Sequence, residues 1–287
     1  MSENLTVAVI GCGSIGTSIA SGVLDSLAAA GASGRVIATV ESEASKQRIE
    51  GVLQHHAQRF SARQASKNLE TVQEADVIIL AVKPFKRHEF LGVEEIRQAL
   101  KGKLLISIMA GIPTTLLGEV INQGDTTNPC QVIRAMPNMA ARIKQAMTLL
   151  TSTPGTVAPE NLEIAYWVFG QVGDYKYIPE QRFDVAGPIV GCAGSLMALA
   201  IDGLLDAAVA EGLKRKDAEF LAVRSTIGML NLIVEGTHPS LLREQIASPG
   251  GASVRALLKL ESHGVRYAFS DALMTAADRM RNMSKFT

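Results

Sequence analysis

The sequence predicts an α/β chain in two parts: a mostly parallel sheet interleaved with helices over residues 1–178, then an all-helical segment over residues 179–287. Three observations predict it. Short apolar runs rich in Val and Ile alternate with helix-length patterns through the first part, the signature of βαβ units. A glycine-rich turn follows the first of those runs directly. Beyond Pro179 no β-branched alternating run recurs, and Ala, Leu and Met dominate from Ala193 onward.

In order, the apolar runs predict strands at Thr6–Ile10, Val36–Val40, Val77–Val82, Leu104–Ile108 and Val132–Met136, with two weaker ones at Met147–Thr151 and Asp174–Ile178. Helical periodicity predicts Ile15–Ala29, Glu43 to Gln58, Val93–Leu100 and Asn161–Phe169 between them. In the second part helices are expected at 180–192, 194–212, 216–235, 238–247, 252–263 and 265–283. A chain of 287 residues is long enough to bury two cores.

Lys plus Arg number 28 and Asp plus Glu number 28, without blocks of either sign, so charge gives no case for nucleic acid or an anionic membrane surface. Cys12, Cys130 and Cys192 are far apart and form no CxxC pair. They suit reduced cytosolic thiols and neither a disulfide framework nor a metal site. MSENLTVAVIG enters a strand with no basic segment and apolar run of a secretory signal. The charge-free stretch Ala186–Ile201 is shorter than the roughly 18–20 residues of a membrane span and is interrupted by Gly187, Pro188, Gly191 and Gly194. The expectation is a cytoplasmic protein that meets no membrane.

VAVIGCGSIGTSIASG sets Gly11, Gly13 and Gly16 in a GxGxxG pattern between a strand and a helix, which points to a Rossmann-like dinucleotide-binding domain. Gly11 permits the tight turn, Gly13 lets a pyrophosphate approach the backbone, and Gly16 lets helix and strand pack closely. The amides of Ser14 and Ile15 face the phosphates at the positive helix end. Glu41, after the second strand, is the carboxylate expected to accept the adenosine ribose hydroxyls and to repel a 2′-phosphate, which leans the cofactor toward NADH. Lys46 and Arg48 lie one turn later, within reach of a phosphate. Three further strand ends carry small or polar residues on one rim: Ala81-Val82-Lys83-Pro84, Ser107 to Pro113 with Ala110 and Gly111, and Arg134 to Asn138. Ligands of open parallel sheets bind outside such carboxyl ends.

SPGGASVRALLKLESHGVR, Ser248 to Arg266, stops the chain and then opens a helix whose Val254, Leu257, Leu258 and Leu260 predict a buried side. Gly250, Gly251, Ala252 and Ser253 leave its first amides uncovered by side chains, the condition for an anion site.

With these motifs the chain resembles the pyrroline-5-carboxylate reductase family over essentially its whole length. The resemblance rests on the GxGxxG turn, AVKP, Ser107 with Ala110-Gly111, RAMPN, and above all SPGG-x-[ST]…LE-x-x-G-x-R. It implies a Rossmann-like domain followed by a helical dimerisation domain, with NADPH or NADH reducing a cyclic imine carboxylate to proline. The family itself leans toward NADPH. The resemblance further implies that Ser248, Gly250, Gly251 and Ala252 hold the substrate carboxylate and that the Ser253 hydroxyl faces the ring nitrogen. It also places Asn138 in the site, near both substrate and cofactor. A homodimer or ring of dimers is implied as well. Two departures stand out. Ser253 replaces the usual threonine, and Gly191-Cys192-Ala193-Gly194-Ser195-Leu196 lacks the proline and tyrosine of the family's G-S-G-P-A-Y. The second leaves open which cyclic imine is reduced. A β-hydroxyacid dehydrogenase would need a lysine between Gly191 and Gly212, and none is present. A nucleotide-binding homologue without catalysis is the non-enzyme alternative. The five histidines, none in a rim motif, read as surface or structural.

Overall fold

A computed structural model describes residues 4–283. The chain forms two compact units: one holds the residues through Gly191 with the last helical turns from Ala277, and the other runs from Cys192 to Ala276. The first unit is built on a sheet of β1 (Thr6–Ile10), β2 (Arg35–Val40), β3 (Phe60–Gln64), β4 (Val77–Leu80), β5 (Leu104–Ser107), β6 (Gln131–Pro137), β7 (Ala146–Ser152) and β8 (Gly173–Tyr177). Its order is β3-β2-β1-β4-β5-β6-β7-β8. Every pair is parallel except β6–β7. The expected strands all form. β3 has no counterpart among them because FSARQ carries only two apolar residues, in an edge strand whose outward side is polar.

Helices α1 (Ser14–Ala29), α2 (Glu43–Val52), α3 (Asn68–Glu74), α4 (Arg87–Leu91), α5 (Glu94–Leu100), α6 (Thr114–Asn122) and α7 (Pro159–Gly170) connect the strands. The helix expected to run to Gln58 stops at Val52 and is followed by a 3-10 turn at Gln54–His56. β1, β4 and β5 are buried on both faces, as a covered parallel sheet demands. Successive side chains point to opposite faces. Val7 and Val9 therefore join the core under α1 and α7, while Ala8 and Ile10 join the core under α3, α5 and α6.

Next come α8 (Glu180–Ala210), α9 (Arg215–Val234), α10 (Pro239–Ile246), α11 (Ala252–Ser262) and α12 (Val265–Asn282). The two helices expected at 180–192 and 194–212 are one helix of 31 residues with Pro188 inside it. No break occurs at residue 193; Gly194 has open space beside it, while Gly187 serves close packing. A Cβ on Gly187 would lie 2.6 Å from Met280 Cε and 2.9 Å from Met136 Sδ, so both methionines press on the helix backbone there. By length and composition α8 is also apolar enough to cross a membrane, which the shorter charge-free stretch did not suggest.

What fastens α8 to the sheet unit is Arg134 on β6, 1% exposed. Its Nη1 donates to Glu180 Oε1 and its Nη2 to Asp184 Oδ1, each at 2.7 Å. The guanidinium lies over the Phe183 ring, 4.2 Å from the centroid. Thr114 Oγ1 donates to the other Glu180 oxygen at 3.0 Å. Lysine could supply one charge but neither the fork nor the stacking plane.

Buried within the glycine turn, the Cys12 thiol is pushed up to about 11, and burial pushes Cys130 up to about 12; Cys192 is partly exposed. Neither buried sulfur is a nucleophile near neutrality. At pH 7.5, mass-spectrometric mapping after brief alkylation should find no adduct on Cys12 or Cys130 until the chain is unfolded. Arg134→Met strands two carboxylates and should lower urea stability by roughly 3–5 kcal/mol, the cost of breaking a buried pair. Arg134→Lys should recover part of that loss.

Candidate active site

The strand order reverses direction at β1, whose neighbours β2 and β4 lead to opposite edges of the sheet. A crevice opens at such a point. Here it is a cleft of about 620 Å³ lined by, among others, Gly11, Gly13, Glu41, Asn68, Ala81 and Lys86. Val82 and Lys83 line it too, whereas Pro84 begins the 3-10 turn Pro84–Lys86 at its edge.

Gly11 has φ +76°, which side chains rarely tolerate, and a Cβ there would meet Val82 Cγ1 at 2.7 Å. Its N–H and that of Cys12 donate to Thr39 O, fixing the turn to β2. Gly13 is the N-cap of α1, and no side chain caps that helix. Nothing lies within 4 Å of where a Gly13 Cβ would be, so the space above the turn is open. Gly16 faces inward: a Cβ would lie 3.1 Å from Val9 Cγ1 and 3.3 Å from Cys12 Sγ. Ser14 and Ile15 form the first helical turn beside this space. The open cradle and uncapped helix start fit a dinucleotide pyrophosphate.

Asn68 supplies a second sign of fit. It lines the cleft, and its Oδ1 is buried without a hydrogen-bond partner. Such an atom is costly unless a ligand donor reaches it. Asn68, Ser45 and Lys86 escaped the sequence reading because no motif marks them; only the fold carries them to the rim. Glu41 stands at the end of β2 as expected, but its carboxylate is taken by Lys86 Nζ. Lys46 is held 3.8 Å from Glu43.

The other rim residues are placed differently. Gly111 packs under Met283, 2.5 Å from where a Cβ would lie, and neither it nor Ala110 lines the cleft. Asn138 is engaged by the main chain at both ends of its amide: Oδ1 accepts from Ala140 N–H at 3.2 Å, and Nδ2 donates to Val190 O at 3.4 Å.

In the second unit α11 starts as the sequence predicts, with Gly251 as N-cap and no side-chain cap. Ser248 caps nothing through its side chain; its carbonyl accepts from Gly251 N–H at 3.0 Å to close the turn. Gly250 has φ +70° and open space around it. At Gly251 a Cβ would lie 2.5 Å from Ser248 Oγ and 3.1 Å from Ser248 O, so any side chain there crowds the turn. Ala252 and Ser253 form the first helical turn. The LE-x-x-G-x-R motif has a structural basis: Glu261 accepts from Arg243 Nη1 at 3.0 Å and from Arg266 Nε at 3.2 Å. Arg266 first, then Arg243, holds the Glu261 carboxyl below its usual range. The side of α11 expected to be buried is only partly so in a single chain: Val254 and Leu257 are half-buried, while Leu258 is 65% exposed and Leu260 is exposed too.

Among the described residues one group, Asp25, His55 and His56, brings possible metal donors within 4.8 Å of one another. Both Asp25 oxygens are already engaged, by His56 Nε2 and Lys144 Nζ at 2.8 Å each. His56 is a packing residue, as read from sequence.

Residues 180–283 match a family model described as pyrroline-5-carboxylate reductase dimerisation, and residues 6–111 match one described as NADP oxidoreductase, coenzyme F420-dependent. A pyrroline-5-carboxylate reductase of Lophium arboricola is 34% identical over 96% of this chain and 92% of its own length. One from Methanosarcina acetivorans is 30% identical over 99% of both chains. The crystal structure of Plasmodium falciparum pyrroline carboxylate reductase with NADP bound superposes with a TM-score of 0.83 at 24% identity, covering 98% of this chain and 99% of that one, and so shares its fold. Identity at this level over nearly the whole chain means that the chain belongs to the pyrroline-5-carboxylate reductase family.

Proposed function

We infer that the chain reduces 1-pyrroline-5-carboxylate to L-proline with NAD(P)H, the last step of proline biosynthesis. The observation that carries this reading is a 34% identity sustained across both parts of the chain to an enzyme of that name. Residues 1–178 serve as the cofactor domain and 179–287 as the helical dimerisation and substrate domain. The three free cysteines suit a cytoplasmic setting.

The bound nicotinamide supplies a hydride to the C=N carbon. The chain binds, orients and excludes water. Gly11, Gly13, Ser14, Ile15 and Gly16 hold the pyrophosphate on backbone amides and the start of α1. Ala81, Val82, Lys83 and Pro84 border the rest of the dinucleotide, Ala110, Gly111 and Asn138 stand at the neighbouring strand ends outside the cleft, and Asn68 Oδ1 accepts a ribose or adenine donor. Glu41 takes the adenosine ribose hydroxyls. Glu41 disfavours a 2′-phosphate, though less than a bare carboxylate would because Lys86 pairs with it, so NADH is used at least as well as NADPH.

The substrate carboxylate sits on the uncovered amides of Gly250 to Ser253, where the helix dipole favours an anion. Ser248 shapes that turn. The imine reaches the site as its iminium, so its ring nitrogen already carries the proton that remains in proline. The Ser253 hydroxyl orients that nitrogen, and no strong general acid is needed. Asn138 supports the pocket wall through its hold on Val190.

Assembly completes the helical domain. Leu199, Phe220 and Val234 are 73%, 65% and 80% exposed in the single chain. Apolar surface of that extent marks an interaction face. A homodimer joined through α8 and α9 covers it, and rings of dimers extend the same principle.

The decisive assay measures NAD(P)H oxidation with 1-pyrroline-5-carboxylate beside six-membered cyclic imines; turnover of only the larger rings would reassign the substrate. On the true substrate Ser253→Ala should lower kcat/KM roughly 10²-fold, in the range for one positioned hydrogen-bonding group. Ser253→Thr should keep most activity, and Gly251→Val should be worse than either. Wild-type kcat/KM for Ser253→Ala would reduce that hydroxyl to a helix-start group. Light scattering at micromolar concentration should give a dimer or a multiple of one, and a fully active monomer would remove the assembly model.

A further inference from the structure

We propose that Lys86 is the residue that decides how this chain treats the 2′-position of the cofactor: it neutralises Glu41 when that position carries a hydroxyl and pairs with the phosphate when it carries one. The proposal rests on the dinucleotide reading of the cleft given above. It begins with the charge of the lining. The charged side chains there are Glu41, Lys83, Lys86 and Glu89, two of each sign, so the walls carry no net charge of their own. Pyrophosphate can rely on the backbone amides of the glycine turn, but a 2′-phosphate at the end of β2 lies beyond them and needs a side-chain cation.

Four basic residues are close in sequence or space, Lys46 and Arg48 on α2 and Lys83 and Lys86 after β4. Lys46 is held by Glu43 on its own helix at 3.8 Å, and Arg48 is exposed. Lys83 has its Nζ 5.8 Å from the centroid of the Phe85 ring. Lys86 alone of the four pairs with Glu41. The placement follows from AVKP. Pro84 starts a 3-10 turn, closed by Lys86 N–H donating to Lys83 O at 2.8 Å, and that turn carries the Lys86 side chain back across the rim to the end of β2. The Glu41 bond, then Glu89 beyond it, holds the ammonium above its usual range, so it stays charged throughout the working pH range.

A carboxylate with its own counter-ion is a weaker barrier to NADPH than a bare one. When the 2′-phosphate enters, its greater charge competes with Glu41 for the same ammonium. The chain accordingly accepts both nucleotides, and Lys86 sets the ratio between them.

The test is direct binding, free of turnover. Dissociation constants for NADPH, NADH, 2′,5′-ADP and 5′-AMP are measured by calorimetry on the wild type and on Lys86→Gln, Glu41→Gln and Lys46→Gln, with thermal unfolding as a check on folding. Lys86→Gln should weaken NADPH and 2′,5′-ADP about ten-fold, near 1.4 kcal/mol, while moving NADH and 5′-AMP less than about two-fold. Glu41→Gln frees the ammonium and should tighten 2′,5′-ADP. An unchanged NADPH-to-NADH ratio in Lys86→Gln, an equal loss for both nucleotides, or a shift in Lys46→Gln in its place would each overturn the proposal. If the folded wild type bound none of the four, the dinucleotide reading itself would fall.

Discussion

Arg134 is the constraint on which the rest of the first unit depends. It is a cation with almost no access to water, and it is tolerable only because Glu180 and Asp184 reach it from one face of α8 while Phe183 covers its plane. Two carboxylates against one guanidinium leave an excess negative charge. Partial exposure of both acids and the Thr114 hydroxyl on Glu180 relieve it. Desolvating such a group costs several kcal/mol unless its partners are fixed. The arrangement therefore specifies the path of the chain where β8 gives way to α8. With that start fixed, Gly187 lies where Met136 and Met280 can close on it, and Asn138 can donate to Val190.

The cleft depends on a different economy. Its floor is backbone: a left-handed Gly11, an uncapped α1 and a vacant space above Gly13. Backbone amides recognise phosphate without regard to what else the ligand carries. Discrimination is left to side chains at the far rim, where Glu41 and Lys86 form one unit and not two independent signals. A carboxylate at the end of the second strand states a preference only when its counter-ion is known.

The helical unit is unfinished as a single chain. α8 and α9 carry apolar residues around much of their circumference, and α11 buries none of its residues. A helix with that composition is buried on several sides or spans a membrane. The match of residues 180–283 to a dimerisation family gives the first explanation its physical content: the apolar surface is there to be covered by another copy.

Much of this was legible in the sequence. GxGxxG after a Val-rich run determines the first β-turn-α unit, because only glycine serves a tight turn, a phosphate approach and a helix–strand contact at those three places. The continuous apolar runs of β1, β4 and β5 determine a covered parallel sheet, since both faces must be buried. SPGG before an apolar-periodic stretch determines an uncapped helix start. Other features were decided by tertiary structure alone. The sequence suggests two helices parting at residue 193, yet α8 runs on through it, and Gly187 and Gly191 leave the space that Met136 and Met280 occupy. β3 forms from a polar segment because its edge position asks for burial on one side only. Asn68 and Lys86 reach the cleft, and Arg243 reaches Glu261, across sequence separations that no local pattern encodes. Spacing records what neighbouring residues can do for one another, and these contacts exist only once the sheet order and helix crossings bring distant residues within hydrogen-bonding range.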